Sequence, residues 1–161
     1  MRASVSAAED SSSRDARADP GSQILFALVA VLALAGIIVS AVSLQRHYAK
    51  SATEFCDFNQ KFSCDIVNRS EYSTLFGIPV AAIGVAGYAL LFLLATLWRS
   101  RPETPNRLLG AAIAGLGFAL YLTYIEAYVL TTWCILCLIS LAMISLITLF
   151  TIVAKIRTAK P

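Results

Sequence analysis

The run TWCILCLISLAMISLITLFTIVA, residues 132–154, contains no charged side chain. As a helix it rises about 35 Å at roughly 1.5 Å per residue, enough to cross a hydrocarbon core of about 30 Å. Near its start it holds a C-x-x-C pair, Cys134 and Cys137. One stretch therefore sets two expectations: a bundle of membrane helices, and chemistry placed where a helix enters the bilayer.

Three further stretches have the same character. With the first run they predict helices over about 24–45, 76–98, 107–128 and 132–154. The chain has 161 residues, of which 58% are hydrophobic and 14% charged, the composition of a membrane protein. The expected fold class is an all-α, four-transmembrane-helix bundle spanning 24–155, with a long outer loop at 46–75 capping a pocket. Residues 1–23 are rich in Ser, Ala and Asp without apolar periodicity, which predicts a disordered cytoplasmic tail. Their hydrophilic length argues against a cleaved signal peptide. Residues 156–161 form a second short cytoplasmic tail.

Lys and Arg distribution orients the bundle. With both termini inside, the cytoplasmic side holds Arg2, Arg14, Arg17, Arg99, Arg101, Arg107, Lys155, Arg157 and Lys160, nine of the 13 basic residues. Arg46, Lys50, Lys61 and Arg69 fall on the other side, diluted by Glu54, Asp57, Asp65 and Glu71. The net charge of +3 thus reflects topology, and no basic-aromatic pattern suggests nucleic acid.

In this topology all four cysteines lie on the outer side: Cys56 and Cys64 in the loop, Cys134 and Cys137 at the outer end of the last helix. Disulfides persist in such a compartment. With Thr132 as the helix cap, Cys134 falls in the first turn, where the helix dipole lowers a thiol pKa. Cys137 sits about 4.5 Å deeper, among apolar side chains. One cysteine would face an aqueous thiol and the other a lipid-soluble oxidant. A relay follows, in which a reduced partner attacks the Cys56/Cys64 pair, the loop thiols reduce Cys134/Cys137, and Cys137 passes electrons to a membrane acceptor. With no flavin, haem or metal signature in the sequence, that acceptor is a quinone and no metal is expected.

Other arrangements compete. Two static disulfides would explain an even cysteine count, although cysteines three apart in one helix make a poor structural bridge. A zinc site from C-x7-C and C-x2-C has the right ligand number, but half of it would lie in lipid. His47 reads as an interface histidine and Glu126 as an interface anchor, with a role at a proton-coupled site as the alternative for Glu126. Phe118, Tyr121, Tyr124, Tyr128 and Trp133 suit packing and the outer aromatic belt, with a subset lining a pocket. Part of STLFGI, residues 73–78, is expected at the interface as an anchor.

Together, the C-x7-C loop, SEYSTLFGIPVAAIGVAGY (residues 70–88) with Ser73, WCILC (133–137) and the topology resemble the vitamin K epoxide reductase family in its bacterial branch, over about residues 25–153. The resemblance implies that Cys134 and Cys137 are the active-site pair, with Cys137 beside the quinone. Cys64 would bridge transiently to Cys134, and Cys56 would exchange with the external partner. It further implies a separate DsbA-type thioredoxin-fold partner, ubiquinone or menaquinone as electron acceptor, and a place in a bacterial inner membrane. Two positions depart from the vertebrate branch: Val80 stands in place of an Asn that hydrogen-bonds the quinone, and Leu141 in place of a Tyr. These weigh against the alternative activity, vitamin K epoxide reduction, and leave Tyr121, Tyr124 or a backbone amide to orient a quinone near Val80, Cys137 and Leu141. The non-enzymatic alternative is a membrane scaffold with static disulfides.

Overall fold

The computed structural model describes residues 20–48, 57–59, 62–98 and 103–159. Cys56 and nearly all of the N-terminal tail lie outside them. Four long helices dominate: α1 (Pro20–Tyr48), α3 (Val80–Thr96), α4 (Thr104–Ile125) and α5 (Ile135–Ala159). Between α1 and α3 come β1 (Asp57–Asn59), β2 (Phe62–Ser63), the short helix α2 (Cys64–Asn68), a 3-10 turn at Glu71–Ser73, β3 (Thr74–Leu75) and β4 (Ile78–Pro79). The strands form two small antiparallel hairpins, β1–β2 and β3–β4.

Three segments, Gly21–Tyr48, Thr104–Leu130 and Ile135–Arg157, are long and apolar enough to cross a membrane. The chain is an all-α membrane protein in its architecture, with the hairpins as minor elements. α3 is equally apolar but has only 17 residues, or about 26 Å. It starts at Val80 rather than 76 because Phe76 and Gly77 form the two-residue turn of the β3–β4 hairpin. Both have positive φ, 52° and 81°, as primed hairpin turns require. Pro79 immediately precedes the helix. Leu75 and Ile78 are exposed on this hairpin, and Phe76 at its tip is 98% exposed.

α1 packs against α3 and α5, and α4 packs against α5 and more lightly against α3, which closes the four helices into a ring. Small residues permit the close approach. At Gly36 of α1 an added Cβ would lie 2.7 Å from Cγ of Tyr88. Tyr88 crosses over that glycine and donates its hydroxyl to the Ser140 carbonyl of α5 at 2.8 Å. One side chain thereby ties three helices together.

The dry core occupies the half of the bundle near the α3–α4 connection, where Val29, Ala33, Leu91, Leu94, Leu108, Ala112 and Ile147 are buried. Thr148 and Thr151 are buried there too, and each donates its hydroxyl to the carbonyl four residues earlier, which satisfies it without leaving the helix.

The Tyr88–Gly36 contact gives a direct test. Gly36→Ala should lower stability by about 1–3 kcal/mol through overpacking. Gly110→Ala, whose Cβ meets nothing within 4 Å, should be neutral or gain up to about 1 kcal/mol of helix propensity. Thermal unfolding in detergent checks both, and equal melting points for the two variants would contradict this packing.

Candidate active site

The half of the bundle opposite the dry core is built differently. Here the C-terminal ends of α1 and α4, the N-terminal ends of α3 and α5, and the segment after α2 surround a cavity of about 390 Å³. Its walls are mostly apolar, with Tyr88, Leu91 and Ile144 shared with the core. From the loop side Val67, Asn68, Ser70, Tyr72 and Ser73 contribute. Such a size and lining suit a ring-shaped organic headgroup, since small-molecule sites span roughly 300–1,000 Å³.

At one end of this cavity the thiols converge. α4 runs into a π-helical segment, Glu126–Leu130, closed by Thr131 in the left-handed region at φ 50°. The Glu126 carbonyl accepts from the Thr131 and Thr132 amides, so the chain reverses tightly. Segments of this kind recur at functional sites because they re-aim side chains. α5 then begins at Ile135, three residues later than expected. Thr132 does not cap it, because its hydroxyl donates to the Leu130 carbonyl at 3.2 Å. Cys134 occupies the capping position, its carbonyl accepting from Leu138 N–H at 3.1 Å and its own N–H donating to Glu126 Oε2 at 3.1 Å.

Glu126 is therefore no interface anchor. It is 2% exposed, and its second oxygen, Oε1, has no hydrogen-bond partner among the described residues. A carboxylate oxygen of Glu126 and the Sγ atoms of Cys134 and Cys137 all lie within 4.8 Å of one another. This donor set has the chemistry to share a thiophilic cation; equally, it puts a proton acceptor beside two thiols.

Cys64 completes the cluster from the loop side. Ser63 Oγ accepts from Ile66 N–H at 3.3 Å and so caps α2, which places Cys64 in its first turn. Cys64 and Cys134 are fully buried and pack with Val67 as a small cluster, with Cys137 at its edge. The Cys134 thiol hydrogen-bonds both Cys137 and Cys64. All three are unbridged in this structure. Hydrogen bonding to Cys137, with burial adding to it, pushes the Cys134 thiol up. The two cysteines of the motif meet each other but differ in their other neighbours. Cys137 lines the cavity, whereas Cys134 packs toward Cys64.

Of the other residues expected at the site, Val80 lines the cavity and Tyr121, Tyr124 and Leu141 do not. Tyr121 and Tyr124 are exposed on α4, and Tyr124 stacks with Tyr128 at 4.8 Å between ring centroids. Phe118, one residue of the expected aromatic group, does reach the wall. Sequence reasoning missed the polar stripe of α1, Ser40, Ser43 and His47, all of which line the cavity. Its signal was present: polar side chains spaced by three and four residues share one helix face. His47 is thus turned inward, its Nδ1 2.5 Å from the Asn68 carbonyl oxygen.

Residues 27–152 match the model of the vitamin K epoxide reductase family. The chain belongs to this family. Its members are membrane oxidoreductases whose activity is generally linked to thiol exchange and quinones. The VKOR-type match covers all three clustered thiols and the whole cavity wall.

The thiol cluster predicts a trapped product. In a Cys137→Ser variant under mild oxidation, Cys64 and Cys134 should become bridged, seen as one cross-linked peptide pair under non-reducing mass spectrometry. Recovery of both as free thiols in folded protein would contradict the cluster geometry.

Proposed function

We propose that this chain is a quinone-dependent thiol oxidoreductase that reoxidises a DsbA-type thioredoxin-fold partner and so supports disulfide formation in exported proteins. The observation that carries this is the chain of thiols from the loop to the cavity, Cys64 packed with Cys134, Cys134 beside Cys137, and Cys137 on the cavity wall. A static bridge joins two sulfurs and has no use for a third thiol within bonding reach. An exchange relay needs one.

All four helices cross the membrane in this reading, α3 with its flanking hairpin and Leu97 and Trp98 making up its length. Both termini face the cytoplasm and the cysteines face the outer side of a bacterial inner membrane. The exposed Leu75, Phe76 and Ile78 dip into the interface. Phe76 is a poor choice for a left-handed turn position, which makes sense when its ring is anchored in lipid.

The net reaction converts a partner dithiol and a quinone into a partner disulfide and a quinol, moving two electrons and two protons. Partner thiols enter through Cys56 and Cys64. The Cys64 thiolate attacks Cys134 Sγ, the Cys134–Cys137 bond breaks, and Cys137 leaves with the electron pair. When bound in the cavity, ubiquinone or menaquinone accepts the pair delivered from Cys137. Cys134 is freed when Cys56 closes on Cys64, and it re-forms the bond to Cys137 as the electrons depart. Cys137 leaves as a thiolate, and the two protons of the reaction are those that Cys64 and Cys56 lose on attack; Glu126, whose carboxylate faces the thiols, takes each in turn and passes it to the reduced quinone. Val80 offers no donor to the cavity, which weighs against vitamin K epoxide reduction.

Anaerobic turnover of purified protein in detergent, with a reduced thioredoxin-fold donor and ubiquinone or menaquinone, tests this. Wild type should consume quinone in proportion to donor, and Cys137→Ala should consume none. Failure with both quinones, in folded protein, would falsify the proposal. Glu126→Gln keeps the shape and removes the base; its kcat should fall by about 10²–10⁴, the usual weight of general base catalysis, while Cys64–Cys134 exchange persists.

A further inference from the structure

Two buried side-chain atoms among the described residues lack a hydrogen-bond partner, Glu126 Oε1 and Asn68 Nδ2. Both residues line the same cavity. Glu126 has thiols beside it to supply a proton. Asn68 has no equivalent neighbour. Its side-chain oxygen accepts from Ser43 Oγ at 2.9 Å, and its backbone carbonyl accepts from His47 Nδ1. What remains is the amide NH2, a pure donor, on a side chain that is only 7% exposed. A buried donor left unpaired is costly, and an arriving acceptor removes that cost.

We propose that the Asn68 side-chain amide donates a hydrogen bond to a carbonyl oxygen of the quinone headgroup in this cavity and fixes its orientation. This rests on the quinone-linked function above and assigns it a recognition group. The occupant must bring an acceptor into an apolar chamber, which a quinone carbonyl does. Three competing donors on the wall are engaged elsewhere, while the Ser40 and Tyr72 hydroxyls also line it. Tyr88 donates to the Ser140 carbonyl, Ser70 to the Val67 carbonyl and Ser73 to the Ser70 carbonyl. Since a carbonyl only accepts, His47 Nδ1 carries the proton of its contact with Asn68, and that donor is engaged there. Ser43 and His47 lie one helical turn apart on α1, so a rigid helix holds both ends of the Asn68 residue. The donor is thereby aimed before the ligand arrives, which limits the ordering cost of binding.

The test uses the full chain in detergent, dithiothreitol as electron donor and a short-chain ubiquinone varied in concentration. Asn68→Ala and Asn68→Asp should each raise the quinone KM about tenfold, equivalent to about 1.4 kcal/mol, with kcat at saturating quinone changed less than about twofold. Asn68→Asp is nearly isosteric and keeps the oxygen that meets Ser43, so it guards against a folding defect in the alanine variant. An unchanged KM in either variant overturns this assignment, because retention by Asp would mean that an oxygen rather than the NH2 faces the ligand. Absence of quinone consumption in the wild type overturns the functional proposal and this one with it, so the two failures are told apart.

Discussion

A helix that begins inside a membrane protein leaves its first amides without partners, and lipid supplies none. At the start of α5 the Glu126 carboxylate accepts the Cys134 amide, and much of the thiol end follows from that contact. The contact draws the π-helical end of α4 over the start of α5. It fixes Cys134 at the capping position, one residue outside the helix, where its side chain reaches the loop cysteine. The first full turn of α5 then presents Cys137 to the cavity. Burial of a carboxylate is expensive unless it is hydrogen-bonded, and this one is half satisfied by backbone, with its free oxygen left for chemistry.

The two halves of the bundle divide the labour. One half is packed to exclude everything, with small residues and inward aliphatic side chains on all four helices. The other is hollow, with the loop segment that follows α2 forming part of its wall. Tyr88 sits at the border, its ring against Gly36 and its hydroxyl on Ser140, and forms part of the cavity floor. Rigidity below the cavity matters because electron transfer by thiolate attack tolerates little misplacement.

Much of this was legible in the sequence. Charge-free runs marked the helices, and the cysteine spacing marked the thiol pole. What escaped had local or long-range causes. α3 starts late because the Phe76–Gly77 turn was hidden inside an apolar run that reads as helix. α5 starts late because the cap comes from a residue eight positions upstream, across the chain reversal at Thr131. Glu126 reads as an interface anchor because it ends an apolar stretch, and only the fold shows that the π segment turns it inward. Tyr121 and Tyr124 looked suitable as donors, but a helix apolar all round gives no sign of which face meets the cavity. His47 and Ser43 carried a periodic signal whose partner, Asn68, sits 21 and 25 residues away.

The cavity is therefore polar at identifiable places rather than diffusely. At its thiol pole stands an acceptor, Glu126, beside two thiols; on the loop side stands Asn68, whose oxygens are occupied and whose NH2 is left unpaired. A molecule that arrives with carbonyl oxygens and leaves with hydroxyls matches that pairing in both states. In the proposed relay the quinone offers an acceptor to Asn68 while Glu126 takes the proton shed by the thiols. As quinol it can itself donate, so its hold on an amide donor weakens. The same two side chains would thus favour the oxidised form on entry and the reduced form on release, the differential binding that lets a site turn over instead of merely filling.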